Sequence, residues 1–304
     1  MDVFHFFGTE EQKRKWLVPL ANGEIRSSFV MTEPGLASSD AVQISTSIRK
    51  EGSDYVINGE KIWITGAGDK RNKIYLLLGR TGTGQTKHDQ HSVVLVPTDS
   101  PGITVLEPFM LYGFDDGGHG GHHRVKFENV RIPQSNLVGK EGMGFKIAQV
   151  RLAGGRLHHC ARTVGLAERA IDLLKERLVT RTVQGGKPLK DLSVLRAELA
   201  EARISVDQMR LLVLDAAHKL DKYGSKDARA SISMAKVRVP EQALKVINTA
   251  MEVYGGLGLS SHIPLASWYA RTDSVKRMDG PCAVHREVVA KMELREFEKR
   301  KSKL

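Results

Sequence analysis

The stretch that organises this chain reads FVMTEPGLASSD from Phe29 to Asp40 and DYVINGEKIWITGAG from Asp54 to Gly68. The second part predicts a β-hairpin, because Asn58-Gly59 readily takes the positive φ angles of a two-residue turn and apolar residues alternate on both sides. The first part predicts a turn at Pro34-Gly35, where small residues let backbone amides approach a ligand closely. Together they indicate a hydrogen-bonding surface with the indole of Trp63 at its edge.

Composition and charge narrow the class of protein. The 304 residues are 41% hydrophobic, which is typical of a soluble globular protein, and no apolar run is long enough to cross a bilayer. The net charge of +11 favours anionic partners, either nucleic acid or a phosphate-rich ligand such as coenzyme A. The basic residues are interleaved with acids and not with aromatics, so we expect no nucleic-acid partner. Cys160 and Cys282 form neither a ligand cluster nor a disulfide framework, which fits a reducing compartment.

The first half of the chain is predicted to be β-rich after one short helix. Thr9 is the expected N-cap of a helix that ends near Asn22, with Gln12 as its capping-box partner. A β segment begins at Ile25, and short β-rich runs separated by turns continue to about Pro133. These runs are Tyr55 to Ile57, Ile62 to Thr65, Ile74 to Leu78, Val93 to Val96, and Arg124 to Phe127. The spacing predicts an all-β sandwich or barrel of about a hundred residues.

The period changes to helical beyond Glu141. Apolar residues step by three and four from Val164 to Leu178, and again from Leu192 to Leu220. A third helix is expected from about Ala228 to Tyr254, with a kink at Pro240, and two more near Leu265 to Lys276 and Ala283 to Lys299. Long amphipathic helices with short loops pack as an antiparallel bundle.

The motif Met31-Thr32-Glu33-Pro34-Gly35, followed by Ser38-Ser39-Asp40 and by Trp63-Ile64-Thr65, resembles the flavin-binding signature of the acyl-CoA dehydrogenases. It is most similar to the branch in which the dehydrogenase follows a kinase-like domain. The resemblance implies an α+β fold, a middle β-barrel or sandwich followed by a C-terminal antiparallel helical bundle. It also implies a truncated N-terminus: residues 1–24 as a remnant of the N-terminal helical domain, 25–138 as the middle β domain, 139–300 as the bundle, and 301–304 as a targeting tail.

The resemblance assigns the first part of an FAD site to this surface. Met31 and Thr32 would meet the flavin, Thr32 by a hydrogen bond to its pyrimidine end, and Ser38 or Ser39 would bind its diphosphate region. Trp63 would pack on the ring and Thr65 would approach N5. The alternative from the residues alone is a core tryptophan and hydroxyls that satisfy a turn.

A second part of the FAD site is implied at the end of the third helix. Gly255 and Gly256, together with Glu252 and Arg181, match a segment that meets the adenosine end of FAD from a neighbouring subunit, so a homodimer or homotetramer is expected. Two residues depart from the family pattern: Glu252 replaces a glutamine, and Gln184 replaces a phenylalanine. The alternative is that the glycines only cap the helix.

The catalytic base implied by the resemblance is Asp279, where most of the family has a glutamate. Substrate would contact Ser39, Gly155 and Arg156, and Gly155 occupies the place where a minority of the family has its base. The alternative for Asp279 is a turn or helix-cap carboxylate before Gly280-Pro281. No metal site is expected: His158-His159 lacks a second ligand pair, and the glycine-rich setting of His119, His122 and His123 predicts a mobile loop.

The activity implied is α,β-dehydrogenation of a fatty acyl-CoA to a trans-2-enoyl-CoA in β-oxidation, with FAD as cofactor. Electrons would pass to an electron-transferring flavoprotein or to oxygen. The alternative is a truncated, non-catalytic homologue or subunit, and a nucleic-acid binder ranks third. The closing Ser302-Lys303-Leu304 is typical of the signal that the peroxisomal import receptor binds, with the mitochondrion or cytoplasm as alternatives.

Overall fold

The computed structural model describes residues 1–37, 39–82 and 84–302, without the side chains of His119 and Gln184. The chain divides into two compact units, residues 1–151 and the residues from Leu152 onward. Ser38, Lys303 and Leu304 lie outside the described residues. The diphosphate contact of Ser38 and the peroxisomal signal therefore stay predictions.

The first unit begins with short helices. These are α1 (Asp2–Phe7), α2 (Glu10–Gln12), a π-helical turn (Lys13–Leu17) and α3 (Val18–Ala21). The predicted capping box is confirmed, because the Thr9 hydroxyl accepts from the Gln12 backbone N–H and the Gln12 side chain accepts from the Thr9 N–H, each at 3.2 Å. Helix α1 was not anticipated from the sequence; it buries Val3 and Phe4 against the sheet core.

The first unit is built on one mixed eight-stranded sheet. Its strands are β1 (Arg26–Val30), β2 (Ser47–Glu51), β3 (Asp54–Thr65), β4 (Asn72–Arg80), β5 (His91–Pro97), β6 (Ile103–Pro108), β7 (His122–Pro133) and β8 (Leu137–Val138). The order across the sheet is β6-β7-β3-β2-β4-β5-β8, with β1 also paired to β4. Both β1 and β2 run parallel to β4, whereas the other pairs are antiparallel.

Both faces of β4 and β5 are buried. Along β4, Tyr75 and Leu77 point into one apolar cluster, and the alternating Ile74, Leu76 and Leu78 point into the other. Successive side chains of a strand point to opposite faces, so a strand covered on both sides reads as a continuous apolar run. This explains why β4 and β5 show apolar runs without polar alternation.

The predicted hairpin at Asn58-Gly59 is wrong. These residues lie inside β3, which runs unbroken from Asp54 to Thr65, at an irregularity in its pairing with β7. The two-residue turn instead falls at Gly52-Ser53, where Glu51 pairs with Asp54 and Gly52 has φ of 63°. Gly59 has another purpose: a Cβ atom there would lie 2.5 Å from the Thr46 hydroxyl, so glycine permits close packing.

The second unit is helical. Helix α4 (Gly144–Thr180) begins in the first unit and continues into the second, where it is followed by α5 (Ser193–Asp227), α6 (Arg229–Tyr254), α7 (Leu265–Val275) and α8 (Cys282–Lys301). Helix α6 carries Pro240 in its interior and packs against α5, α7 and α8. Contacts of Lys219 with Ser231 and of Gln208 with Gln242 show that α5 and α6 are antiparallel. One apolar core extends from Ala153 to Trp268.

The predicted fold class is confirmed: a β unit precedes a helical bundle, although the parallel strand pairs were not expected. Over the described ranges, no helix is both long enough and apolar enough to span a membrane. Within the same ranges, no three histidine, cysteine or acidic side chains are grouped as a metal site would require.

Candidate functional site

The segment Met31-Thr32-Glu33, which follows β1, is held in place by a fully buried lysine. The Lys61 ammonium donates to the Met31 carbonyl at 2.9 Å, to Glu33 Oε1 at 2.9 Å and to the Leu78 carbonyl at 2.7 Å. The Thr32 carbonyl accepts from the Ile62 N–H at 2.9 Å. The position of this segment is therefore determined by β3 and β4.

Glu33 is the counter-charge of Lys61. Its carboxylate also accepts from the Ser45 N–H at 2.9 Å, the Ser45 hydroxyl at 2.8 Å and the Thr46 N–H at 2.9 Å. Burial opposes ionisation of Glu33, but Lys61 and these hydrogen bonds outweigh it and lower its pKa to about 2. Burial lowers the pKa of Lys61 to about 8, so both groups are charged at neutral pH. Sequence reasoning missed this pair, because nothing local distinguishes Lys61 from the exposed lysines around it.

Trp63 presents an aromatic surface at the end of β3. Its φ of 57° is uncommon for a bulky residue and coincides with an irregularity in the pairing of β3 with β7. The indole stacks on Phe109 with ring centroids 4.6 Å apart, yet the residue is 43% exposed. The alternative of a core tryptophan is therefore wrong. An exposed flat ring backed by a second ring, in a strained conformation, is a suitable surface for a planar ligand.

Thr65 lies two residues beyond Trp63, and both side chains approach the imidazole of His122. Its hydroxyl is 3.0 Å from His122 Nδ1, and His122 Nε2 is 3.2 Å from Asp116 Oδ2. Its backbone carbonyl accepts from the Ser28 hydroxyl at 2.7 Å. The prediction of a mobile loop at His122 and His123 is wrong, because both begin β7 and pair with β3, and His122 is buried.

Ser39 is exposed in the turn that follows Pro34-Gly35. Asp40 caps the 3₁₀ turn Ala41–Gln43, its carboxylate accepting from the Val42 N–H at 3.3 Å. The first unit thus brings Met31, Thr32, Trp63 and Thr65 onto one framework of strands. These groups fit a flavin: a stacked indole, a hydroxyl close to it, and a backbone segment held rigidly beside it.

The candidate base Asp279 lies in the loop between α7 and α8 and has φ of 51°. Its backbone carbonyl accepts from Arg156 Nε at 2.8 Å, and His285 Nε2 lies 3.3 Å from the same oxygen. A non-glycine residue in the left-handed region costs free energy and persists only where its surroundings hold it. Arg156 and His285 provide that restraint.

Lys236 of α6 restrains the backbone of the same loop. Its fully buried ammonium donates to the Val275 carbonyl at 2.5 Å and to the Gly280 carbonyl at 3.1 Å, on either side of Asp279. Burial lowers the pKa of Lys236. Burial also lowers the pKa of His285, to about 4. Lys236 therefore fixes the loop backbone on both sides of Asp279.

The carboxylate of Asp279 faces α4. Its Oδ2 lies 3.3 Å from His159 Nε2, and both side chains are largely buried. His159 is one helical turn beyond Gly155 and three residues beyond Arg156, so the three lie on neighbouring positions of one helix face. His158, in contrast, is exposed. The expectation of a packed or exposed histidine pair did not foresee this contact, although the spacing from Arg156 was a usable signal.

The remaining predicted FAD residues lie at the ends of α4 and α6. Arg181 directly follows α4 and is exposed, as are Glu252, Gly255 and Gly256. Glu252 accepts from the Asn248 side chain at 2.7 Å. Arg177 lies over the Tyr254 ring, 5.0 Å from its centroid, so the ends of α4 and α6 meet. Gly255 has φ of 61° and its N–H bonds to the Glu252 carbonyl, which is helix-capping geometry.

Comparisons with known proteins agree with this architecture. The family model of the acyl-CoA dehydrogenase middle domain matches residues 28–130, and that of the C-terminal domain matches residues 142–294. FadE2 of Mycobacterium tuberculosis, whose name describes a probable acyl-CoA dehydrogenase, is 45% identical over 97% of this chain and 72% of its own length. The chain therefore belongs to the acyl-CoA dehydrogenase family, whose members are FAD-dependent flavoproteins.

The chain spans only part of several relatives. Acyl-CoA dehydrogenase family member 11 of Homo sapiens is 46% identical over 99% of this chain, which covers 38% of that protein. The crystal structure of acyl-CoA dehydrogenase from Geobacillus kaustophilus superimposes with a TM-score of 0.87 at 27% identity, covering 96% of this chain and 74% of the other.

Proposed function

We propose that this chain is the flavin-binding and catalytic part of an FAD-dependent dehydrogenase that oxidises a fatty acyl-CoA to its trans-2-enoyl-CoA. The observation that carries the proposal is the restrained carboxylate of Asp279, in a chain that belongs to a family of flavoproteins. Bound FAD would supply the acceptor for the hydride that leaves the β-carbon. An electron-transferring flavoprotein or oxygen would then take up the electrons.

In the proposed reaction, Asp279 removes the α-proton of the acyl thioester. The C–H bonding pair becomes the α,β double bond as the β-hydrogen leaves with its electrons. Because an aspartate is one methylene shorter than a glutamate, the loop backbone must place the carboxyl group accurately, and displacements near ~1 Å cost about a hundredfold in rate. The donors on the Asp279 and Gly280 carbonyls, Arg156 and Lys236, provide this placement.

The residues that we expect to contact the flavin would bind and orient its ring. Trp63 would pack on the ring, and Thr65 would approach N5. Met31 and Thr32, fixed through Lys61, would support the pyrimidine end. Ser38 or Ser39 would meet the diphosphate, and the adenosine end would meet Arg181, Glu252, Gly255 and Gly256 in an oligomer.

The alternative is a non-catalytic homologue or subunit of such an enzyme. The test mixes FAD-loaded protein with acyl-CoA in the absence of oxygen and follows flavin absorbance. Asp279→Asn should retain FAD, but acyl-CoA should reduce its flavin at least about a hundredfold more slowly than in the wild-type protein, as expected for loss of a general base. Asp221→Asn, an exposed position on α5, is the matched control and should behave as wild type. Equal rates for Asp279→Asn and wild type would refute Asp279 as the base.

A further inference from the structure

A buried hydrogen-bonded chain stands behind the predicted flavin surface. It runs from Asp116 through His122 to the hydroxyl of Thr65, with distances of 3.2 and 3.0 Å. His122 is 3% exposed and Asp116 is 8% exposed. His122 and Asp116 lie outside the residues that the resemblance to known dehydrogenases assigns to the site.

The chemistry of these groups determines which atom donates at each step. An ionised carboxylate only accepts, so His122 Nε2 must carry the hydrogen that it gives to Asp116. In a neutral imidazole the other nitrogen, Nδ1, then has a lone pair and accepts. The Thr65 hydroxyl must therefore donate its hydrogen to His122. Only its oxygen lone pairs are left for a ligand.

We propose that His122, oriented by Asp116, is a positioning residue that makes the Thr65 hydroxyl a hydrogen-bond acceptor toward the bound flavin. This inference rests on the proposed function, which places flavin N5 at Thr65. Oxidised flavin has no hydrogen on N5, whereas reduced flavin carries an N5–H that can donate to an acceptor. The arrangement therefore favours reduced flavin over oxidised flavin.

His122 also supports the aromatic surface, so a positioning effect must be separated from a packing effect. Its backbone carbonyl accepts from the Phe109 N–H at 2.7 Å, and its ring lies 5.9 Å from the Trp63 ring. The bond to Phe109 uses the backbone and survives any replacement of the side chain. Replacing Thr65 removes the hydroxyl that the proposal requires while leaving His122 and Asp116 in place.

The first test is independent of FAD. The ¹⁵N spectrum of histidine-labelled protein at pH 7.5, assigned by comparison with His122→Asn, should show His122 with a protonated Nε2 and an unprotonated Nδ1. Asp116→Asn should relax this preference. A protonated Nδ1 in the wild-type protein would overturn the inference, because the hydroxyl of Thr65 would then accept from His122 and be able to donate to the flavin.

The second test measures the midpoint potential of the FAD-loaded protein. His122→Ala should lower the potential, changing the ratio of reduced to oxidised flavin about fivefold, the effect of one ordinary hydrogen bond. His122→Asn, whose side-chain oxygen can replace Nδ1 as an acceptor, should restore part of the loss. In a Thr65→Val background, His122→Ala should cause no further change.

The outcomes separate this inference from the proposed function. A wild-type chain that takes up no FAD refutes both. A flavin-loaded His122→Ala protein with the wild-type midpoint potential refutes the inference alone. The inference is also refuted if His122→Ala shifts the potential as much in the Thr65→Val background as in the wild-type protein.

Discussion

Replacing Glu33 by glutamine removes the counter-charge of a fully buried lysine while nearly preserving the size of the side chain. The carboxylate pairs with Lys61 and accepts three hydrogen bonds from Ser45 and Thr46. Glutamine cannot neutralise Lys61 and offers one acceptor oxygen in place of two. The variant therefore leaves an uncompensated charge in the interior, which is a strongly destabilising change.

The magnitude follows from the pKa of Glu33, which the folded protein lowers from 4.5 to about 2. A lowering of this size corresponds to about 3 kcal/mol of stability, in the range expected for breaking a buried pair. Because the folded-state pKa is the lower one, this stabilisation is present above about pH 4.5 and is lost as the pH falls toward 2.

Native-state hydrogen exchange of the β3 and β4 amides at pH 7 is the appropriate assay, because it reports on the first unit alone. We expect Glu33→Gln to lower the opening free energy of these amides by about 3 kcal/mol. The matched control is Glu128→Gln, which removes a solvent-exposed pair with Lys126 in the same sheet and should cost less than ~1 kcal/mol. A Glu33→Gln protein within ~1 kcal/mol of wild type would refute the buried-pair argument.

Three further predictions test other parts of the structure. Thr9→Ala should remove the capping box and destabilise the N-terminal helices by about 1 kcal/mol in denaturant unfolding, whereas unchanged exchange of the Gln12 amide would contradict the cap. Gly59→Ala should cost about 1–3 kcal/mol, because its Cβ would clash with the hydroxyl and methyl groups of Thr46, and a Thr46→Ala partner change that fails to recover stability would argue against that clash. The pKa of His285 is lowered to about 4, so its contribution to stability is present above about pH 6.5 and is lost as the pH falls toward 4. His285→Gln should flatten the pH dependence of stability between pH 6.5 and 4, and a variant that keeps the wild-type slope would show that another group titrates there.

The sequence predicted those features that local pattern determines. Period-three and period-four apolar steps located the long helices, and the Thr9 capping box is a signal contained in four residues. The turn at Asn58-Gly59 was predicted wrongly because tertiary packing overrides the local turn propensity. Strand β3 pairs with β7 on both sides of Gly59, and Thr46 packs so closely that position 59 has no room for a side chain. The two residues that do make the turn, Gly52 and Ser53, carry a weaker signal.

Parts of the candidate site depend on contacts between residues far apart in the chain. His122 approaches Thr65 across 57 positions, and Lys236 reaches Gly280 across 44. No spacing rule identifies such pairs in one sequence. Asp279 was found only through the resemblance to a family, and the flavin role of Trp63 also depends on it, since each alone is consistent with an ordinary turn or core residue.

The central claim is that this chain binds FAD and reduces it with an acyl-CoA. The most direct measurement is the absorption spectrum of the purified chain, supplied with FAD during purification, before and after anaerobic addition of a panel of acyl-CoAs. We predict bound flavin whose absorbance bleaches with one class of acyl chain. A protein that never takes up FAD, or whose bound flavin stays oxidised with every acyl-CoA in the panel, would contradict catalysis by this chain.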